Sequence, residues 1–168
     1  YRHSSGIEEK TAEMAEYYRL GEVKSWKLRI AAALHDLGKL AIPNSILDKP
    51  GKLNVEELAK VKAHTFYTRK GLERLEDFAE ITEWAANHHE RLDGSGYPYG
   101  FEASRLSFED ELLMCIDVYR ALTEDRPYRG PLSHERAMDI LRGQADSGKM
   151  SREIVENIDR VFGIKRST

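Results

Sequence analysis

Cysteine is nearly absent from these 168 residues: Cys115 is the one thiol. That excludes an intrachain disulfide and a thiolate metal set, and it fits a reducing, cytoplasmic compartment. Its neighbours Met114 and Ile116 mark it as a buried core thiol. Long apolar runs are also missing. The longest stretch is the length of Ile30–Leu34, against the roughly 20 residues that a membrane span needs. Neither sign of charge dominates: 26 Lys and Arg face 29 Asp and Glu, a net charge of −3. A chain so balanced has no basic field for a duplex nucleic-acid backbone, although a single pocket can still be locally basic. Period-two alternation, internal repeats, low-complexity tracts and a secretory signal are all lacking, so strands are not expected. The first residue is Tyr1 rather than Met, and a longer parent protein is expected.

What remains is helical. Hydrophobic residues at 40% and charged residues at 33% suit one compact domain spanning residues 1–168. Trp26, Ile30, Ala33, Leu34 and Leu37 follow helical spacing and predict a buried face, with Gly38 ending that helix as a C′ residue and Pro43 blocking a restart. Asn54 and Glu57 form a capping-box pattern ahead of Val61 and His64. A further helix runs from about Asp77 to His89. Ser107 and Asp110 open the next, which carries Phe108, Leu112, Cys115, Tyr119 and Leu122, and Ser133 and Ser151 cap the last two. Only residues 40–53 and 91–106, rich in proline and glycine, resist helix. The expectation is an all-α domain of about six or seven helices with two loops framing a site.

Six histidines occur, at 3, 35, 64, 88, 89 and 134. Taken alone, His35-Asp36 reads first as a surface or capping pair, His88-His89 as a polar helix end favouring the dipole, and Asp117 as an exposed mid-helix acid. Against this, Asp36 follows a strongly apolar helix, where an unpaired carboxylate is costly and a metal ion would remove the cost. His3, His35, Asp36, His64, His88, His89 and Asp117 together offer seven nitrogen and oxygen donors. That is more than one tetrahedral ion uses, and it suits a pair of ions that clamp a phosphate, with Asp36 as the bridge.

HDLGK at 35–39, His64, HHERLDGSGYP at 88–98, Ile116-Asp117-Val118-Tyr119 and DRPYR at 125–129 resemble the HD-GYP branch of the HD-domain phosphohydrolases, over about residues 3–145. The resemblance implies a single HD-type helical domain. It implies that His3, His35, Asp36 and Asp117 form the basic metal set, and that His64, His88 and His89 hold a further ion. Two, or three, divalent transition-metal ions follow, iron first and manganese next, as mixed imidazole and carboxylate donors suit. Lys39 is implied as a phosphate-facing lysine, and it shares the catalytic role with Asp36. Arg126 and Arg129 are implied as contacts to substrate phosphate and guanine; ion pairs with Glu124 or Asp125 are their bland alternative. His134 matches no motif and is expected at the surface. Arg120 stands where many members have Asp, and any Glu one turn before His3 would precede Tyr1.

The implied activity is hydrolysis of the 3′–5′ phosphodiester bonds of cyclic di-GMP to the linear dinucleotide pGpG, with GMP following in some members of the family, in a protein with an upstream sensor or receiver domain. Two rivals stand beside it. One is an HD-type phosphohydrolase for another cyclic dinucleotide or a nucleotide. The other is a non-catalytic binding module with the same fold.

Overall fold

The computed structural model describes residues 3–125 and 130–163, with side chains from Gly6 onward. Nine α-helices order the described residues: α1 (His3–Tyr17), α2 (Glu22–Leu34), α3 (Asn44–Leu47), α4 (Val55–Lys62), α5 (His64–Leu72), α6 (Ala79–Asn87), α7 (Phe108–Thr123), α8 (His134–Asp146) and α9 (Arg152–Gly163). Short 3₁₀ turns occupy Leu37–Ala41, Glu76–Phe78 and Ala103–Arg105. The architecture is all-α. One isolated bridge, Asp93 to Glu102, is the nearest approach to a strand among the described residues.

Helix α7 is the axle. Six consecutive residues, Leu112 to Asp117, are buried, so this helix is covered on every side. Helices α1, α2, α6, α8 and α9 pack around it. Its start follows from local chemistry: the Ser107 side chain accepts from Asp110 N, and the Asp110 carboxylate returns the bond to Ser107 N at 2.8 Å. Asn54 and Glu57 make the same reciprocal cap on α4. Ser133 and Ser151 accept from Arg136 N and Ile154 N, as expected of caps. Cys115 is fully buried, and that burial pushes its thiol up to about 12.

The structure corrects several sequence expectations. The buried face of α2 is Leu28, Ala31 and Ala32, whereas Trp26 is 56% exposed and Ile30, Ala33 and Leu34 are half-buried. Two alanines let α2 lie close to α1 and α6, and this close packing sets the phase of the helix. The true stripe, Leu28–Ala32–His35, runs i, i+4, i+7 and carries His35 into the interior. Gly38 does not end the helix. Helix α2 stops at Leu34, and Gly38 is buried in the following 3₁₀ turn, where a Cβ would collide with the His64 carbonyl oxygen and stand 2.6 Å from Thr68 N. His134 is no surface residue: it is 6% exposed, its Nε2–H donates to Asp159 at 2.7 Å, and its Nδ1 bonds the Tyr119 hydroxyl at 2.9 Å. These contacts tie α7, α8 and α9 together.

The loop regions are mostly as read, except that residues 40–53 include the one-turn α3. The helix read from Asn54 through His64 divides at Ala63, which caps α4 and precedes α5.

Candidate metal centre

Three buried histidines share one local device. His35 follows the last residue of α2, His64 opens α5, and His88 follows the last residue of α6. Each ring's Nδ1 lies against the carbonyl oxygen three residues earlier: Ala32 at 2.6 Å, Val61 at 2.7 Å and Ala85 at 2.7 Å. A carbonyl oxygen can only accept, so each Nδ1 carries the proton and each Nε2 presents a lone pair. Those lone pairs converge. Nε2 of His64 stands 3.5 Å from Nε2 of His88, an opposition that a cation between them relieves.

Carboxylates complete the cluster. Asp36 Oδ2 lies 3.4 Å from His35 Nε2, and its Oδ1 lies 3.5 Å from His64 Nε2. The two oxygens of one residue therefore address two histidines, as a bridging ligand must. Asp117 Oδ1, on α7, is 3.6 Å from His35 Nε2. His89 stands beside His88 with ring centroids 4.1 Å apart, and stacks on Tyr97 at 4.8 Å. Ligand atoms of His64, His88 and His89 all lie within 4.8 Å of one another, as do those of His35, Asp36 and His88. This His/Asp cluster fits metal ions by its donor chemistry: neutral imidazoles, ionised carboxylates and no thiol.

Electrostatics agree with that fit. Burial holds the His88 imidazole well below its ordinary range, helped by His89, His35 and His64. Burial and His64 bring His89 down to about 3, and burial likewise lowers His64. Burial by itself would raise the Asp36 carboxyl, but His35 and Lys39 overcome it and hold the group down to about 2. Lys39 Nζ donates to Asp36 Oδ2 at 2.7 Å, and its side chain is 41% exposed. It therefore reaches from the cluster toward solvent, where an anion can meet it.

Docking of α5 on the turn after α2 brings His64 to Asp36. Gly38 N donates to Thr68 Oγ1 at 2.9 Å, and Thr68 Oγ1 donates to the His35 carbonyl at 3.0 Å. The cluster opens into a cavity of about 290 Å³ lined by His35, Asp36, Lys39, Arg91, Tyr97 and Arg120, among others. Arg120 is buried, with Nε 3.0 Å from Glu124 and Nη1 3.8 Å from Asp117.

The structure thus brings together His35, Asp36, Lys39, His64, His88, His89 and Asp117. The side chain of His3, and all of Arg126 and Arg129, lie outside the described residues. Glu90, a residue with no assigned role in the sequence, is fully buried and accepts from Tyr99 N at 2.8 Å and Phe101 N at 2.9 Å. It thereby folds the Gly94–Pro98 loop back over the cluster. A carboxylate directly after two histidines at the end of an apolar helix was the available signal, since a buried carboxylate must find donors.

Comparison with known proteins gives the same picture. The HD domain family matches residues 1–154. The chain is 36% identical over 160 residues to 3′3′-cGAMP-specific phosphodiesterase 1 of Vibrio cholerae, covering 95% of this chain and 37% of that protein. It is 36% identical over 162 residues to a cyclic di-GMP phosphodiesterase of Thermotoga maritima, covering 93% of this chain and 43% of that one. It is 38% identical over 136 residues to a cyclic di-GMP phosphodiesterase response regulator of Xanthomonas campestris, covering 78% and 35% respectively. The chain spans less than half the length of these relatives. No described helix is long and apolar enough to cross a membrane. With its HD family match, its cyclic-dinucleotide phosphodiesterase relatives and its HHE-to-GYP loop folded over a His/Asp cluster, the chain belongs to the HD-domain family, in its HD-GYP type.

Proposed function

We propose that this domain hydrolyses a 3′–5′ phosphodiester bond of a cyclic dinucleotide, with cyclic di-GMP as substrate, linear pGpG as first product and GMP as the further one. The observation that carries this is the convergence of three Nε2 lone pairs and the Asp36 and Asp117 carboxylates beside a cavity that Lys39 and Arg91 make locally basic. In this reading His35, Asp36 and Asp117, with His3, hold one ion, and His64, His88 and His89 hold a second. Asp36 faces both groups. Iron is the first choice and manganese the next, because mixed imidazole and carboxylate donors suit both. When bound, such ions supply positive charge to a phosphoryl oxygen and acidify a water for attack.

The chain's own residues do the rest. The Lys39 ammonium meets a non-bridging phosphate oxygen as a point charge, and that contact strengthens as charge grows toward the transition state. Tyr97 walls the cavity on the side of His89, and Glu90 holds the loop that carries it. Arg120 lies within reach of Asp117 and braces it. Arg126 and Arg129 are proposed as contacts to the substrate's phosphate and guanine. Residues 1–168 form one such unit in a longer cytoplasmic protein with an upstream sensor or receiver domain, a reading supported by a response regulator among the relatives.

A second reading, 3′3′-cGAMP as substrate, is favoured by the similarity to a 3′3′-cGAMP-specific enzyme. Incubating metal-loaded protein with each cyclic dinucleotide separately, followed by chromatography, tests both. Linear product from cyclic di-GMP at the higher rate supports the first reading, and a higher rate on 3′3′-cGAMP replaces it with the second. Loaded protein that binds either nucleotide without cleaving it is a binding module and overturns both.

A further inference from the structure

A second cavity, of about 380 Å³, lies against the first. The two share His89, Arg91 and Tyr97 as a common wall. Three cationic side chains line the second one, and they come from three separate parts of the chain: Lys62 at the end of α4, Arg91 after α6, and Lys149 between α8 and α9. Gln144 and Ser95 add neutral polar groups, and no Asp or Glu lines it. In a chain of net charge −3 this is a local reversal of sign, of the kind that concentrates an anion in a cleft.

No ion pair among the described residues engages Lys62, Arg91 or Lys149. Arg91 donates one Nη1 bond to the Glu90 carbonyl at 2.7 Å, which anchors the guanidinium and leaves most of its five donors for other partners. The Lys62 ammonium rests 5.1 Å from the centroid of the Tyr97 ring, close to the shared wall. Asp93, whose carboxyl feels the Lys149 charge, is turned into its own loop and accepts from Ser95 N at 3.0 Å and Ser95 Oγ at 2.6 Å.

We propose that this cavity is an anion subsite, formed by Lys62, Arg91 and Lys149, for the phosphate group of the dinucleotide that is not being cleaved. The proposal rests on the cyclic-dinucleotide reading above. A cyclic dinucleotide carries two phosphodiesters on one ring, so seating one beside Asp36 and Lys39 sends the other past His89 and Arg91 into the adjoining space. The subsite separates dinucleotides from simple phosphodiesters, which carry one phosphate and fill only the first cavity. It also retains the linear product, whose far phosphate stays bound there.

The test is the double variant Lys62→Met/Lys149→Met, which removes both charges and keeps apolar stems. Arg91 is left intact because it touches Glu90. Kinetics on the preferred cyclic dinucleotide and on bis(p-nitrophenyl) phosphate, each at several salt concentrations, give the readout. The ratio of kcat/KM for the dinucleotide to that for the small diester should fall roughly tenfold, mainly through KM, and the salt dependence of the dinucleotide KM should become shallower. An unchanged ratio and an unchanged salt slope overturn the subsite. Wild-type protein that cleaves the small diester and no cyclic dinucleotide overturns the functional reading itself, and the subsite with it. Should the double variant melt early, the single Lys62→Met change, at an exposed side chain, reports the same ratio at smaller amplitude.

Discussion

Gly38 and the backbone of His64 occupy adjoining space so tightly that a Cβ on Gly38 would overlap the His64 carbonyl oxygen and sit 2.6 Å from Thr68 N. The contact is backbone on backbone, so no side chain can swing aside. The HD sequence at 35–36 and the lone histidine at 64 thus become one cluster because residue 38 has no side chain. Gly38→Ala should cost about 1–3 kcal/mol of stability, and it should weaken metal retention by moving His64 away from Asp36. Melting temperature and elemental analysis on the same preparation check this; wild-type values for both would show that α5 and the turn adjust freely.

Asp36→Ala should remove metal and activity together. One of its oxygens faces His35 Nε2 at 3.4 Å and the other faces His64 Nε2 at 3.5 Å, so both proposed ions lose a ligand. Full metal content in the purified variant would show that Asp36 is not a ligand.

Lys39→Ala separates charge from metal. Its ammonium bonds Asp36 Oδ2 at 2.7 Å, yet while protonated it has no lone pair for a metal. The variant should keep its metal and most of its stability while kcat falls steeply, because the lost contact strengthens in the transition state. A surface lysine that merely favoured the nearby helix end would contribute about 0.3–1 kcal/mol of stability and leave turnover alone. Normal turnover removes Lys39 from the mechanism.

Glu90→Gln should loosen the loop over the cluster. Both carboxylate oxygens accept backbone N–H groups, at 2.8 and 2.9 Å, and the amide places an NH₂ against one of those donors. An unsatisfied buried pair costs about 1–3 kcal/mol. Hydrogen exchange at the Tyr99 and Phe101 amides should quicken, and exchange at wild-type rates would contradict this role for Glu90.

Metal-free protein should lose stability on acidification from about pH 6.5, the ordinary histidine range. His64, His88 and His89 are all lowered by burial, His89 to about 3. Between those values and 6.5 the unfolded chain binds protons that the folded chain refuses, so stability rises with pH across that window and falls as pH drops. Asp36, held at about 2, adds a further loss only below the ordinary carboxylate range. Urea unfolding of the apoprotein at pH 7.5 and 5.5 measures it; equal stability at both would mean that these rings are protonated in the fold.

What was legible in the amino-acid sequence follows from how far each partner lies along the chain. The caps at Asn54 and Ser107 are exchanges over three residues, and they appear where read. The side chains of His35, Asp36, His64, His88, His89 and Asp117, which the resemblance implies as ligands, converge although they lie up to 82 residues apart in the chain. The phase of α2 is not legible in the sequence pattern, because tertiary packing of Ala31 and Ala32, not the largest side chains, selects the buried face. His134 looked unremarkable because its partners Tyr119 and Asp159 sit 15 and 25 residues away. The basic cavity was hidden for the same reason: Lys62, Arg91 and Lys149 have nothing in common until the chain folds.

The most direct measurement is a titration of ferrous or manganous ion into metal-free protein with cyclic di-GMP present, following linear dinucleotide by chromatography. The account predicts that cleavage appears as the second equivalent binds and is absent in Asp36→Ala. A protein that binds two equivalents and cleaves no cyclic dinucleotide would contradict it.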